Sequence, residues 1–150
     1  MSATVRCARS SDAAALAALE RQCFSTPCSE QALSDGLARD DARYFAAEVD
    51  GKVVGYLGAH NVFGDVSVTN IAVDPAYRRR GIALTLLKAL LTSAREEGAS
   101  RVLLEVRVSN DAAIGLYEKA GFRRLCVRPR FYEAPVEDAA VYEYAIGEVL

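Results

Sequence analysis

The sequence predicts a mixed α/β fold, and three stretches predict it. Tyr44 to Val49 and Lys52 to His60 alternate apolar and polar residues around Asp50-Gly51, a dipeptide suited to a two-residue hairpin turn, so an antiparallel pair is expected there. Val66 to Val73 and Arg101 to Val108 are rich in branched aliphatic residues and read as strands. Between them, apolar residues fall at Ala83, Leu86, Leu87, Leu90, Leu91 and Ala94, the spacing of one helix face. A strand, a helix and a strand in that order make a right-handed crossover between parallel neighbours. Antiparallel and parallel pairing therefore meet in one sheet.

The elements follow in chain order. Thr4 to Ala8 reads as a first strand, and Ser11 or Asp12 as the N-cap of an Ala/Leu-rich helix running to about Cys23. Pro27 interrupts the chain, and Ser29-Glu30 starts a second helix that runs to about Arg39. After the hairpin a turn is expected at Gly64-Asp65, and Asp74-Pro75 stops the next strand, because proline cannot donate to a ladder. The helix from Ile82 to Glu97 ends at Gly98, a C-terminal cap. Asn110 or Asp111 caps a short helix through Ala120, closed by Gly121. Phe122 to Arg128 and Val141 to Ile146 complete the order β-α-α-β-β-β-α-β-α-β-β, in a single domain of residues 1–150.

Composition excludes several classes. With 51% hydrophobic residues, 25% charged residues and a net charge of -2, the chain is neither disordered nor broadly basic, which argues against direct nucleic-acid binding. No apolar run reaches bilayer-spanning length and the stretch MSATVRCARSSD lacks the apolar core of a signal peptide, so a cytoplasmic protein with no membrane partner is expected. Cys7, Cys23, Cys28 and Cys126 show no CxxC spacing and His60 is the single histidine, so no metal site is expected and the thiols should be reduced.

The chemistry concentrates where the strand ending at Val73 runs through Arg78-Arg79-Arg80-Gly81 into the long helix. Unpaired N–H groups and the positive end of the helix dipole favour an anion there, and the arginines add to that preference. The alternative is a solvated basic loop with a turn glycine. Neither G-x-x-x-x-G-K-[ST] nor G-x-G-x-x-G occurs, which excludes the common triphosphate and dinucleotide loops.

The run RRRGIA at residues 78–83 resembles the acetyl-CoA signature Q/R-x-x-G-x-G/A of the GNAT N-acetyltransferase superfamily. NIAVDP at 70–75, LEVR at 104–107, SNDAAI at 109–114, LYEKAGF at 116–122 and EDA at 137–139 together resemble the bacterial ribosomal-protein-alanine N-acetyltransferases, over essentially the whole chain. The resemblance implies acetyl-CoA as co-substrate, its pantetheine arm on backbone groups of Ile71, Ala72 and Val73 and on Asn110. Its pyrophosphate would lie at Arg78, Arg79, Arg80, Gly81, Ile82, Ala83 and Leu84, in the N–H cradle from Arg79 through Leu84.

The resemblance further implies Glu105 as the base for an incoming ammonium and Tyr117 as the acid for the departing thiolate. Read without it, Glu105 interrupts an apolar strand, where burial would raise its pKa, or it is paired with Arg107 or solvated on a strand face. Tyr117 is either such an acid or a core aromatic with its hydroxyl satisfied locally. Direct attack in a ternary complex is expected, because Cys126 has no histidine neighbour to activate it. At the acceptor end the resemblance points to Phe24, to Cys28 where the family places an aromatic, and to Tyr132. The implied acceptor is a protein or peptide N-terminus, that of a ribosomal protein beginning with alanine. A small amine, polyamine, antibiotic or lysine side chain is the alternative acceptor, and a non-catalytic acyl-CoA sensor the alternative role. Arg123, Arg124, Arg128 and Arg130 would face the coenzyme's phosphate, a ribosomal partner or water.

Overall fold

The structure is a computed structural model describing residues 3–146, and one seven-stranded mixed sheet carries it. The strands are β1 (Thr4–Cys7), β2 (Phe45–Val49), β3 (Lys52–Val62), β4 (Asp65–Val73), β5 (Arg101–Arg107), β6 (Arg123–Tyr132) and β7 (Glu137–Ala145). They lie in the order β1-β2-β3-β4-β5-β7-β6, antiparallel throughout except for the β4–β5 pair. The helices are α1 (Ala13–Cys23), α2 (Glu30–Leu37), α3 (Ile82–Glu96) and α4 (Asp111–Lys119), which reproduces the expected element order and the parallel crossover. Among the described residues no helix is long and apolar enough to cross a membrane.

Two apolar clusters hold the helices to the sheet. Ile82, Leu86, Leu87 and Leu90 of α3 pack with Leu57, Val66, Val102, Leu104 and Tyr142. Leu16, Ala17 and Leu19 of α1 and Leu33 of α2 pack with Tyr44, Tyr56 and Ala72. Alternate residues of β3 and β4 thus enter different clusters, as the two-residue period of a strand requires.

The expected β2–β3 hairpin turns at Asp50-Gly51, both with left-handed φ (52° and 79°). The next turn sits one residue earlier than Gly64-Asp65: Phe63 and Gly64 take φ of 53° and 91°, while Asp65 already pairs with Val62 in the ladder. The last hairpin is longer than expected. β6 extends to Tyr132 and β7 begins at Glu137, and these two residues pair directly. Polar residues hold that extension: the Glu137 carboxylate accepts from Arg107 at 3.3 Å and from the Ser109 N–H at 2.8 Å. Apolar alternation could not reveal it.

The β4–β5 pairing covers only Asp65, Val66 and Ser67 against Arg101, Val102 and Leu103. Beyond Ser67, β4 continues beside β3 alone, and a register shift at Gly58/Ala59 leaves Thr69 as an extra residue that increases its bend. Beyond Leu103, β5 continues beside β7. The sheet therefore opens between its two central strands.

A buried carboxylate ties the α1–α2 connection to this opening. Glu20 is 1% exposed. One oxygen accepts from the Cys28 N–H at 2.9 Å, and the other from the Tyr56 hydroxyl and from Asn70 Nδ2 at 2.8 Å. Each acceptor is used, which is what lets a carboxylate stay buried. Glu20 lies on the helical stripe of Leu16, Leu19 and Cys23, a signal in the spacing that sequence reasoning did not use.

Asp12 occupies the expected N-cap position of α1 but does not cap it. Its carboxylate accepts from the Arg6 guanidinium at 2.8 and 2.9 Å and from the Arg9 N–H at 2.6 Å. The guanidinium outcompetes a neutral amide, and it holds the carboxyl down at about 2. A depressed pKa contributes stability that is complete above the ordinary carboxylate value and is lost as pH falls through the folded one. Asp12→Asn is expected to lower unfolding stability by about 2 kcal/mol at pH 7, the gap to wild type shrinking as the pH falls from about 4 toward 2 in urea titrations.

Candidate active site

The opening between β4 and β5 leads at one end to the loop before α3. Asp74 accepts from the Ala76 N–H at 2.9 Å and sets a single helical turn over Pro75–Tyr77. Arg79 and Gly81 then take left-handed φ of 64° and 76°, and Gly81 is the N-cap of α3. An added Cβ at Gly81 would meet nothing within 4 Å, so the glycine is required by its φ and not by a close neighbour. The first intrahelical bond runs from the Thr85 N–H to the Gly81 carbonyl. The amides of Ile82, Ala83 and Leu84 therefore have no acceptor in the helix, and they point out of its positive end.

Two of the three arginines are turned away from this cradle. Arg78 Nε donates to the Val73 carbonyl at 3.2 Å and its guanidinium lies 3.5 Å from Cys23 Sγ. Arg80 lies over the Tyr77 ring, 5.0 Å from its centroid. Anion binding here would rest first on backbone amides, with Arg79 as the arginine that makes no hydrogen bond, ion pair or ring contact among the described residues. Ile71, Ala72 and Val73 lie on β4 past the point where β5 has left it. Across the opening, exposed Asn110 accepts from the Ala113 N–H at 3.2 Å and so caps α4.

Glu105 is not buried in the way its strand suggested. Val102, Leu104 and Val106 turn into the core, so Leu103 and Glu105 face outward. The Glu105 side chain is 33% exposed and accepts from Arg128 at 3.2 Å, not from Arg107. It lines a cavity of about 520 Å³ together with Thr69, Leu103, Arg128, Phe131 and Tyr132. Arg107 instead lies over the Tyr132 ring at 4.5 Å and pairs with Glu137.

Tyr117 packs against Phe122 at 6.1 Å, and no protein group accepts from its hydroxyl among the described residues. Burial, and then the nearby Tyr132, push that hydroxyl up to about 12. Burial, and then Glu105, also raise the Tyr132 hydroxyl. Glu105 and Tyr132 line that cavity together, whereas Tyr117, on α4, is not among its lining residues.

Phe24 and Cys28 do not line the cavity either. Phe24 is exposed on the α1–α2 connection, and the Cys28 sulfur lies 3.7 Å from Asn70 Nδ2 against β4. Burial raises the Cys28 thiol, so it is a poor nucleophile. Cys126 lines the cavity, but His60 sits on β3, with three strands between them in the sheet order, bonded to Asp41 at 3.1 Å. Among the described residues no group of acids, cysteines and histidine could hold a metal ion. Sequence reasoning missed Thr69, whose bulge no local pattern encodes, and missed Arg128 as the partner of Glu105, because that contact crosses from β6 past β7 to β5.

Known proteins share this fold. Residues 13–122 match the acetyltransferase (GNAT) family. The chain is 40% identical over 134 residues to an N-alpha-acetyltransferase RimI of Mycobacterium tuberculosis, covering 85% of this chain and 83% of that one. It is 32% identical over 131 residues to a ribosomal protein bS18-alanine N-acetyltransferase of Escherichia coli, covering 86% of each. The crystal structure of the ribosomal-protein-S18-alanine N-acetyltransferase from Escherichia coli superposes with a TM-score of 0.91 at 31% identity, over 99% of this chain and 98% of that one. The chain belongs to the acetyltransferase (GNAT) family.

Proposed function

We propose that the protein transfers acetyl from acetyl-CoA to the N-terminal α-amine of a protein, a ribosomal protein beginning with alanine, by direct attack in a ternary complex. The parting of β4 and β5 supports this reading most. It leaves the free edge of Ile71, Ala72 and Val73 and the amides from Arg79 through Leu84 on one side, with Glu105 and Tyr132 in the cavity. Backbone donors suit an extended amide-bearing arm that ends in a pyrophosphate. Asn110, at the head of α4, has an amide nitrogen to offer the same arm. The names of the relatives support the acceptor, and the cytoplasm is where such a substrate is made. The reading takes residues 1–150 as one catalytic domain with no metal.

Acetyl-CoA supplies an acyl group already activated on a thiol. Glu105 faces the open cavity, where it can hold an incoming ammonium and take its proton, leaving a neutral amine free to attack. A free N-terminus has an ordinary pKa near 7.7–8, so this deprotonation is cheap at neutral pH and far costlier for a lysine side chain. Tyr117, pushed up to about 12, stays protonated and donates a hydrogen bond to the departing sulfur. Full transfer to a thiolate of ordinary pKa near 8.5 would run uphill by roughly 5 kcal/mol, so the hydroxyl steadies the sulfur, and the proton that the attacking nitrogen sheds as the C–S bond breaks and the amide forms is the one that makes the leaving group a thiol. Tyr132, stacked under Arg107, is placed to meet the acceptor backbone.

Thiol release from acetyl-CoA is expected with short peptides beginning in alanine and not with an N-blocked lysine peptide or spermidine. The reverse pattern would favour the small-amine reading. Glu105→Gln should lower kcat near neutral pH by roughly 10²-fold while acetyl-CoA binding, followed by calorimetry, is retained. Tyr117→Phe should reduce kcat with little change in acetyl-CoA affinity. A loss of affinity alone would make the hydroxyl a positioning group.

A further inference from the structure

Arg107 follows Glu105 by two residues and so shares its face of β5. Its guanidinium is turned to the β6–β7 hairpin. It donates to the Pro135 carbonyl at 2.9 Å, the Glu133 carbonyl at 3.0 Å and the Glu137 carboxylate at 3.3 Å, and it lies 4.5 Å from the centroid of the Tyr132 ring. The other oxygen of Glu137 accepts from the Ser109 N–H at 2.8 Å. Ser109 precedes Asn110, the N-cap of α4, the helix that carries Tyr117. One ion pair thus joins three elements: the strand of Glu105, the head of α4 and the hairpin that carries Tyr132. Bonds from Ser109, and then from Arg107, hold the Glu137 carboxyl below the ordinary carboxylate range, so it is ionised at neutral pH.

The end of that hairpin is not held by the core. No residue of β6 is buried, and Phe131 and Val136 are exposed. Arg130 and Ala134, on either side of Tyr132, both take a left-handed φ of 52°, which a residue with a side chain disfavours. The backbone around Tyr132 is therefore set by its contacts and not by its own sequence.

We infer that Arg107 and Glu137 are positioning residues for acetyl transfer: their pair fixes Tyr132 relative to Glu105 and to the head of α4. The inference rests on the α-amine reading above, in which Tyr132 meets the acceptor backbone and Glu105 takes the acceptor's proton. Arg107 and Glu137 act through Tyr132 and Ser109, not on the reacting atoms. Misplacing a group that orients a substrate by about 1 Å costs up to roughly 10²-fold in rate, so the pair weighs far more in turnover than in stability. Lysine is no substitute for Arg107, because an ammonium has no planar face to lay on the ring while it bonds the turn.

The test is thiol release by the full chain with a hexapeptide beginning in alanine, with acetyl-CoA affinity by calorimetry and a melting temperature for each variant. Arg107→Met and Arg107→Lys are both expected to lower peptide kcat/KM by roughly 10- to 100-fold, in KM as well as kcat, with acetyl-CoA affinity held within about threefold. Glu137→Gln keeps an oxygen that can accept from Ser109 or Arg107, and it should recover most of what Glu137→Ala loses. In a Tyr132→Ala background, Arg107→Met should change kcat/KM by less than about twofold, the non-additivity of residues that act as a unit. Should Arg107→Met fail to fold, Arg107→Lys takes its place in that cycle. A lowered melting temperature with unchanged peptide kinetics makes the pair structural only and overturns the inference. Full activity in Arg107→Lys, or losses that add across the cycle, also overturn it, and in each case the α-amine reading stands. A wild-type protein silent on alanine peptides but active on spermidine overturns that reading, and this inference with it.

Discussion

The site depends on two parallel strands that separate after three residue pairs. Parallel neighbours in the middle of a sheet normally satisfy each other's backbone groups along their full length. Here β4 keeps β3 and β5 keeps β7 past Ser67 and Leu103, and each loses its other neighbour. A free strand edge at the centre of a sheet is costly unless something else pairs with it. The Thr69 bulge turns β4 away, and the left-handed residues Arg79 and Gly81 bring the amides of α3 to the end of the same opening. An extended ligand with a polyanionic end completes both.

The opening has to be held apart, and buried charge does part of that work on one side. Glu20 joins α1 to Tyr56 of β3, to Asn70 of β4 and to the Cys28 amide in a single bonded set. Removing any member leaves a buried polar group without a partner, so the set fixes geometry more strictly than apolar packing alone. Because Asn70 lies next to Ile71, the position of the unpaired edge of β4 is coupled to the position of the α1–α2 connection.

Much of this was legible in the sequence, where local rules decide the outcome. Asp50-Gly51 encodes its own turn, Gly98 and Gly121 their left-handed caps, and the Leu86-Leu87-Leu90-Leu91 stripe the buried face of α3. What was not legible depends on contacts between distant residues. Asp12 reads as an N-cap until Arg6 is known to sit beside it. Glu137 reads as loop until its pairing with Arg107 and Tyr132 is seen. For Glu105 the sequence left burial, an ion pair with Arg107 and a solvated strand face open; the fold makes it half-exposed on the open face of β5 and pairs it with Arg128, a partner from β6 that no local pattern names.

The two sides of the site differ in how they can vary. The loop before α3 is built from backbone amides and from one glycine whose φ is left-handed, so most side-chain changes leave it intact. The cavity is built from side chains, among them Glu105, Arg128, Phe131 and Tyr132. Substitutions there can change the cavity's lining without disturbing the sheet. The Glu105–Arg128 pair shows the consequence: a half-exposed ion pair adds little to stability, so a change at either residue alters the charge of the cavity while leaving the sheet in place.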